Sequence, residues 1–358
     1  MGLGRSVATA GVTAAALAAG AAAGLVAERV VVGRAVRARG VPQFGFGDLR
    51  APHQIVTADD GVQLYVEVDE PNDRASWPDL TVVFCHGYSL NLDSWHFQRE
   101  AFRGRARLVF YDQRCHGRSG RGPAEQATID QLGADLAAVI DAVAPRGPVV
   151  VVGHSMGGMT AMALARHQPE RFGDQVVGVV LVSTSPGQLG EITLGIPALL
   201  GQGARRLVPR LAHLVQTNAG LVERGRQVGS DLALLLTRNY AFASRDVPSE
   251  VVDFAAEMIQ ATPADVLAQF YPALVAHDAF DALDVLNGVD TLVMVGEQDQ
   301  LTPPSHSLRI VRAVPGAELL VLDPGGHLVM LERPDDVNAA LDDFFTAVTR
   351  RIMREAAG

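Results

Sequence analysis

The sequence predicts an α/β fold, a mostly parallel sheet with helices on both faces and an inserted helical layer. Three observations lead there. Continuous β-branched runs recur along the chain, helical stretches separate them, and residues 187–286 interrupt that rhythm with helical periodicity alone. Continuous apolar strands suit a sheet covered on both faces. Strand, helix, strand at this spacing gives a doubly wound parallel arrangement.

The elements follow in order. Residues 54–58 and 62–68 alternate around Asp59, Asp60 and Gly61, which reads as a hairpin with a tight turn. Four buried strands are expected in "LTVVFCHG" (80–87), "RLVFYDQ" (107–113), "PVVVVGHS" (148–155) and "VVGVVLVSTS" (176–185). Residues 130–143 form an amphipathic helix, and residues 157–167 a helix rich in Ala and Met. The insertion carries helical periodicity at 204–215, 230–237 and 251–259. A helical stretch of this size is a layer of its own and not a loop. The alternation resumes with "TLVMVGEQD" (291–299), a helix near 305–313, "ELLVLDPGGH" (318–327) and a closing amphipathic helix at 335–355. The expected organisation is an N-terminal segment (1–40), a core in two parts (41–186 and 287–358) and a helical cap between them (187–286).

Composition narrows the function classes. A formal net charge of −10 without a dense basic patch argues against a nucleic-acid partner. Two cysteines, Cys85 and Cys115, are too few for a disulfide framework or a zinc site, and they read as buried free thiols. No metal and no organic cofactor is expected. Residues 6–27 are uncharged and long enough to span a bilayer, although 14 of the 22 are Ala or Gly. Four arginines follow (Arg29, Arg34, Arg37, Arg39) against Arg5 before. That bias reads as a membrane anchor holding the downstream domain in the cytoplasm. The competing reading is a cleaved signal peptide and a secreted product.

The chemistry concentrates at "VVVVGHSMGG", a strand that runs directly into glycine, serine and a helix. A serine attacking a carbonyl must stand above the sheet on a very tight turn. Gly153 and Gly157, two residues to either side of Ser155, supply the clearance and form G-x-S-x-G. The helix that starts there aims N–H groups at a developing oxyanion, with the Met156 N–H the first donor. A serine hydroxyl needs a base, and the base needs an orienting carboxylate. His327 lies just beyond the last strand in "DPGGHLVMLERP", and Asp299 just beyond the preceding strand in "VGEQDQLTPP". Open α/β sheets place their sites at those carboxyl ends. Glu297 is the rival acid.

In this order the motifs "HGYS", "DQRCHGRS", "GHSMGG" and "GEQD … GGH" resemble the α/β-hydrolase fold superfamily, near its capped esterase, haloperoxidase-like and carbon–carbon hydrolase branches, over about residues 50–350. The resemblance implies that Tyr88, after His86-Gly87, donates the second oxyanion N–H. It implies structural duty for His86 and His154, with His116 a loop-packing residue and Asp112 and Arg114 holding the loop beside the site. Cys115 departs from the pattern, since the family has glycine there. Ser183, Thr184 and Ser185 occupy the family's alternative acid position, which favours Asp299. A serine at 155 disfavours the epoxide hydrolases and haloalkane dehalogenases, which need a carboxylate nucleophile. His96, His167, His213, His277 and His306 read as helical surface or core residues.

The functional expectation is a serine ester hydrolase, carboxylesterase or lipase-like, acting on a small-molecule or lipid ester. "LGIPALLG", "DLALLLTR" and "FYPALVAHDAF" in the insertion suit an apolar acyl group. The same triad would also serve a carbon–carbon bond hydrolase or a perhydrolase. A catalytically inactive, membrane-tethered binding module is the reading from another class.

Overall fold

The computed structural model describes residues 45–189 and 237–357. Eight strands form one sheet: β1 (His53–Thr57), β2 (Gln63–Asp69), β3 (Thr81–Cys85), β4 (Arg107–Tyr111), β5 (Val149–His154), β6 (Val176–Val182), β7 (Asp290–Gly296) and β8 (Glu318–Leu322). Their order is β1-β2-β4-β3-β5-β6-β7-β8. β1 pairs antiparallel with β2, and β2 antiparallel with β4. From β4 to β8 every pairing is parallel. All six apolar runs read from the sequence are strands, and the first hairpin closes as expected, with Gly61 at φ +87° in the turn.

Among the described residues seven α-helices of seven residues or more lie between or after these strands, and a single helical turn (Val329–Glu332) precedes the last of them. The seven are α1 (His96–Phe102), α2 (Ile129–Val143), α3 (Met156–His167), α4 (Ser249–Ala261), α5 (Ala264–Ala276), α6 (Pro304–Ala313) and α7 (Pro334–Ala357). Thr128 caps α2, its side chain accepting the Gln131 N–H. Side chains alternate across the sheet. Val83, Val109, Val151 and Leu181 face one way, into a core shared with α2, α3 and α6. Phe84 and Phe110 face the other way and stack at 4.7 Å, with Trp95 against Phe84. Phe345 of α7 packs on Phe102 of α1 on that side. β3 and β5 are buried at every residue, which is why their runs carry no polar alternation.

β2 departs from the simple pattern. Its alternation suggests a solvent-facing polar side, yet Glu67 and Asp69 are buried and take the guanidinium of Arg99 from α1, at 2.6 Å to each carboxylate. Buried carboxylates persist only when paired in this way.

The stretches 204–215 and 230–236, and His213, lie outside the described residues, as do residues 6–27. Among the described residues no helix is long and apolar enough to cross a membrane. Between β6 and β7 the described part of the insertion holds a π-helical turn (Thr237–Ala241), α4, α5 and a 3-10 run (Phe280–Gly288). Residues 251–259 are helical as expected, within α4. His277 corrects its helical reading: it follows the last residue of α5, as the C-cap, and is buried there.

Candidate active site

β5 ends at His154, and the chain turns at once into α3. The residue at the turn is Ser155, with φ +51° and ψ −115°. A non-glycine residue in that region is strained by about 1–3 kcal/mol and persists only when its surroundings hold it there. They do so through two hydrogen bonds to β6 and its end. The Ser155 N–H donates to Val182 O at 2.9 Å, and the Thr184 hydroxyl donates to Ser155 O at 2.7 Å. The two flanking glycines are required by close approach. A Cβ on Gly153 would stand 2.4 Å from Gly157 O, and one on Gly157 would stand 2.1 Å from Cys85 O.

The candidate acid and base sit on neighbouring loops, beyond β7 and β8. Asp299 is 3% exposed and its carboxylate is fully engaged. Oδ1 accepts the N–H groups of Leu301 and Thr302, each at 2.9 Å. Oδ2 accepts the Thr302 hydroxyl at 2.8 Å and the His327 Nδ1–H at 2.9 Å. Burial pushes this carboxyl up, but His327 and the Thr302 hydrogen bonds outweigh it, so Asp299 sits below the ordinary carboxylate range and is ionised. The loops are tied together directly, Gln298 N–H donating to Gly325 O at 2.9 Å and Gly325 N–H to the Gln298 side chain at 2.9 Å. Glu297 is exposed, its N–H bonded to Leu322 O, away from this pairing.

With Nδ1–H directed at Asp299, the free lone pair of His327 is on Nε2, as a general base requires. His327 and Ser155 both line one cavity of about 140 Å³, together with Tyr88, Leu90, Met159, Leu189, Ile259, Leu274 and Val275. Apart from the serine, the histidines and a few hydroxyls, its wall is apolar. Met156 opens α3 beside Ser155, and Tyr88 follows β3 at the next strand end, so both amides expected to serve an oxyanion lie at the carboxyl edge of the sheet.

The other histidines are held by structure. His154 Nε2–H donates to His327 O at 3.0 Å, and burial, reinforced by His327, lowers its pKa to about 3. His86 accepts the Gln113 N–H at 2.9 Å and donates to Gly87 O; burial lowers it to about 3 as well. His116 donates to Arg114 O at 3.0 Å. Asp112 receives the N–H groups of Leu92 and Arg118, while Arg114 pairs with Asp60 and Asp135. Cys85 and Cys115 are both free and buried. Cys115 adopts φ +65°, the conformation that suits the glycine of the resembled motif.

Sequence reasoning missed Thr302, which braces Asp299 and lies 3.3 Å from His327 Nδ1. Its signal was present: an Asp followed three residues later by Thr in a Pro-stiffened loop is a local capping pattern. Among the described residues no group of three or more His, Cys, Asp or Glu side chains is placed to hold a metal ion.

Comparison with known proteins agrees with this architecture. The chain is 27% identical over 266 residues to RutD of Caulobacter sp. (strain K31), named as a carbamate hydrolase, a match spanning 74% of this chain and 90% of that protein. It is 27% identical over 264 residues to 3-oxoadipate enol-lactonase 2 of Acinetobacter baylyi (strain ATCC 33305 / BD413 / ADP1), spanning 73% of this chain and 86% of the lactonase. A thermophilic esterase from Thermogutta terrifontis superposes with a TM-score of 0.64 at 24% identity, over 84% of this chain and 100% of that one, a likeness of fold. The alpha/beta hydrolase fold family profile matches residues 81–334, and with the sheet order and strand-end loops described above this chain belongs to that family and is one of its hydrolases.

Proposed function

We propose that the chain is a serine ester hydrolase that cleaves carboxylic esters or lactones with a small apolar acyl group, through Ser155, His327 and Asp299. The observation that carries this reading is the 2.9 Å pairing of Asp299 with His327, inside the same apolar cavity that Ser155 enters from a strained turn. Ser155 Oγ attacks the acyl carbon while His327 Nε2 takes its proton. The N–H groups of Met156 and Tyr88 receive the oxyanion. His327 then returns the proton to the leaving alkoxide, and water releases the acyl group by the same steps in reverse roles. The wall of the cavity around Ser155 and His327 is apolar, with Leu90, Met159, Ile259, Leu274 and Val275, which suits a small apolar acyl group. The relatives' names point to carbamate and enol-lactone cleavage, both at acyl–heteroatom bonds, which supports the same bond class here.

The test joins a fluorophosphonate probe with p-nitrophenyl esters of increasing chain length. Labelling at Ser155 and a rate maximum at short acyl chains are expected. Absence of labelling in folded protein would return the chain to the inactive binding module. Labelling without ester turnover would favour the carbon–carbon hydrolase or perhydrolase chemistry of the same triad.

For the N-terminal segment we propose that residues 6–27 anchor the chain in a membrane, with the following arginines keeping the hydrolase domain cytoplasmic. Fractionation of producing cells with sequencing of the mature N-terminus tests this. Intact protein in the membrane fraction is expected, and a secreted product starting near Gly24 or Glu28 would overturn it.

A further inference from the structure

The loop that carries the Tyr88 amide is anchored on two different sides. His86 is fixed from within the sheet, by the Gln113 N–H and by the Gln113 side-chain amide, which donates to His86 O at 2.6 Å. Beyond Gly87 the anchoring changes. The Tyr88 hydroxyl donates to Leu267 O of α5 at 2.6 Å. The next carbonyl, Ser89 O, accepts the Thr262 hydroxyl at 3.1 Å, from the residue that caps the end of α4. Ser89 is in the left-handed region at φ +62°, a conformation a serine does not hold without help. Tyr88 is also part of the cavity wall, as are Ile259 of α4 and Leu274 of α5. One phenol and one hydroxyl thus tie two consecutive residues of the loop to two consecutive helices of the inserted layer.

We propose that Tyr88, through its hydroxyl, and Thr262 are positioning residues that set the Tyr88 amide for the oxyanion, so that this half of the oxyanion site is assembled by docking of α4 and α5. The proposal rests on the reading in which Ser155 is the nucleophile and the Tyr88 amide an oxyanion donor. A donor must lie within hydrogen-bond reach of where the charge develops, and removing one outright lowers kcat by about 10²- to 10³-fold. Loosening one by deleting a supporting hydrogen bond has a smaller effect, about 3- to 10-fold for each bond. Burial pushes the Tyr88 phenol above its ordinary range, so it remains a protonated donor throughout the working pH range.

The experiment uses the full chain with Tyr88→Phe, Thr262→Val, their combination, and Thr262→Ser as the conservative variant. Each is measured for kcat and KM on p-nitrophenyl butyrate, for the rate ratio between that ester and its thionoester, and for thermal stability. Sulfur accepts hydrogen bonds weakly, so an intact oxyanion site favours the oxygen ester, and a displaced donor shrinks that preference. Expected are a fall in kcat of about 3- to 10-fold for each single variant with KM nearly constant, a larger fall for the pair, a reduced ester-to-thionoester ratio, and recovery in Thr262→Ser. Unchanged kcat and ratio in folded Tyr88→Phe and Thr262→Val would overturn the proposal alone, as would a change confined to KM or stability. If Tyr88→Phe does not fold, Thr262→Val decides. Wild-type protein that neither labels at Ser155 nor cleaves esters would overturn the underlying reading, and this proposal with it.

Discussion

Replacing Asp299 with Asn changes one atom of the buried carboxylate and should nearly silence the enzyme. Oδ1 remains an acceptor for the Leu301 and Thr302 amides, so the loop keeps its shape. At the Oδ2 position an amide NH₂ now faces the Thr302 hydroxyl, which can turn to accept, and His327 Nδ1, which can accept only by giving up its proton. The imidazole is then held with its hydrogen on Nε2, the atom that must take the serine proton. The expected loss is about 10³- to 10⁴-fold in kcat, equivalent to about 4–5.5 kcal/mol of transition-state stabilisation. KM and the melting temperature should change little, because shape and the two backbone bonds survive. Glu297→Gln, exposed and outside the pairing, should leave kcat within about twofold of wild type. Steady-state kinetics on a p-nitrophenyl ester, with circular dichroism as the folding control, provides the measurement. A folded Asp299→Asn enzyme within tenfold of wild type, or a larger effect from Glu297→Gln, would refute the assignment of the acid.

Ser155→Ala should fold normally, with its strain reduced little because alanine tolerates φ +51° no better, and should lose about 10⁴- to 10⁶-fold in ester turnover; residual activity near wild type would remove the nucleophile. Gly157→Ala places a methyl 2.1 Å from the Cys85 carbonyl of β3, a backbone overlap no rotamer relieves, so a loss of about 3 kcal/mol or more is expected in urea denaturation, and wild-type stability would refute the packing. Burial holds His86 and His154 near 3, and His116 and His277 near 4, against an ordinary 6.5. The unfolded chain takes up those protons first, so stability present above pH 6.5 drains away toward pH 4, by about 2 kcal/mol per histidine between pH 7 and 5. Asp112, raised to about 6 by burial, opposes this by about 1 kcal/mol over the same range; a flat stability profile from pH 7 to 5 would contradict the account. Ser183→Gly should stabilise by about 1 kcal/mol without altering kcat, since it relieves a left-handed serine whose buried hydroxyl has no partner among the described residues; destabilisation would refute it.

What the sequence made legible follows from how local the governing physics is. β3 and β5 announced themselves because strands buried on both faces need continuous β-branched side chains. Ser155, Asp299 and His327 stood out as candidates because each lies within a few residues of a strand end, beside glycines or prolines, and the structure pairs the last two at 2.9 Å. Strand order was not legible, because the pairing of β2 with β4 and of β3 with β5 is decided by contacts across many residues. The burial of Glu67 and Asp69 was hidden for the same reason: the arginine that satisfies them comes from α1, and nothing within β2 indicates it. The Tyr88–Leu267 bond spans 179 residues and involves a backbone carbonyl, which has no signature in sequence at all.

The left-handed residues around the site link these two kinds of information. Ser89, Cys115, Ser155 and Ser183 are non-glycine residues with positive φ, and they follow β3, β4, β5 and β6 respectively. Four adjacent parallel strands thus each turn away from the sheet through a conformation that glycine would adopt freely. At about 1–2 kcal/mol each, the strain amounts to a large fraction of the net stability of an ordinary domain. It is tolerated where other groups hold the backbone: Thr262 at Ser89 O, and Thr184 and Val182 at Ser155. At Cys115 the side chain is buried in an apolar cluster with Met156, Met159 and Phe270, so a glycine there would relieve the backbone but leave a gap beneath the cavity. Ser89 and Ser155 both line the cavity, so the turns after β3 and β5 bring those two strand ends to one small volume, which longer and unstrained connections would spread apart. Strain at Ser89 and Ser155 thus accompanies the convergence of two strand ends on the cavity that His327 also lines.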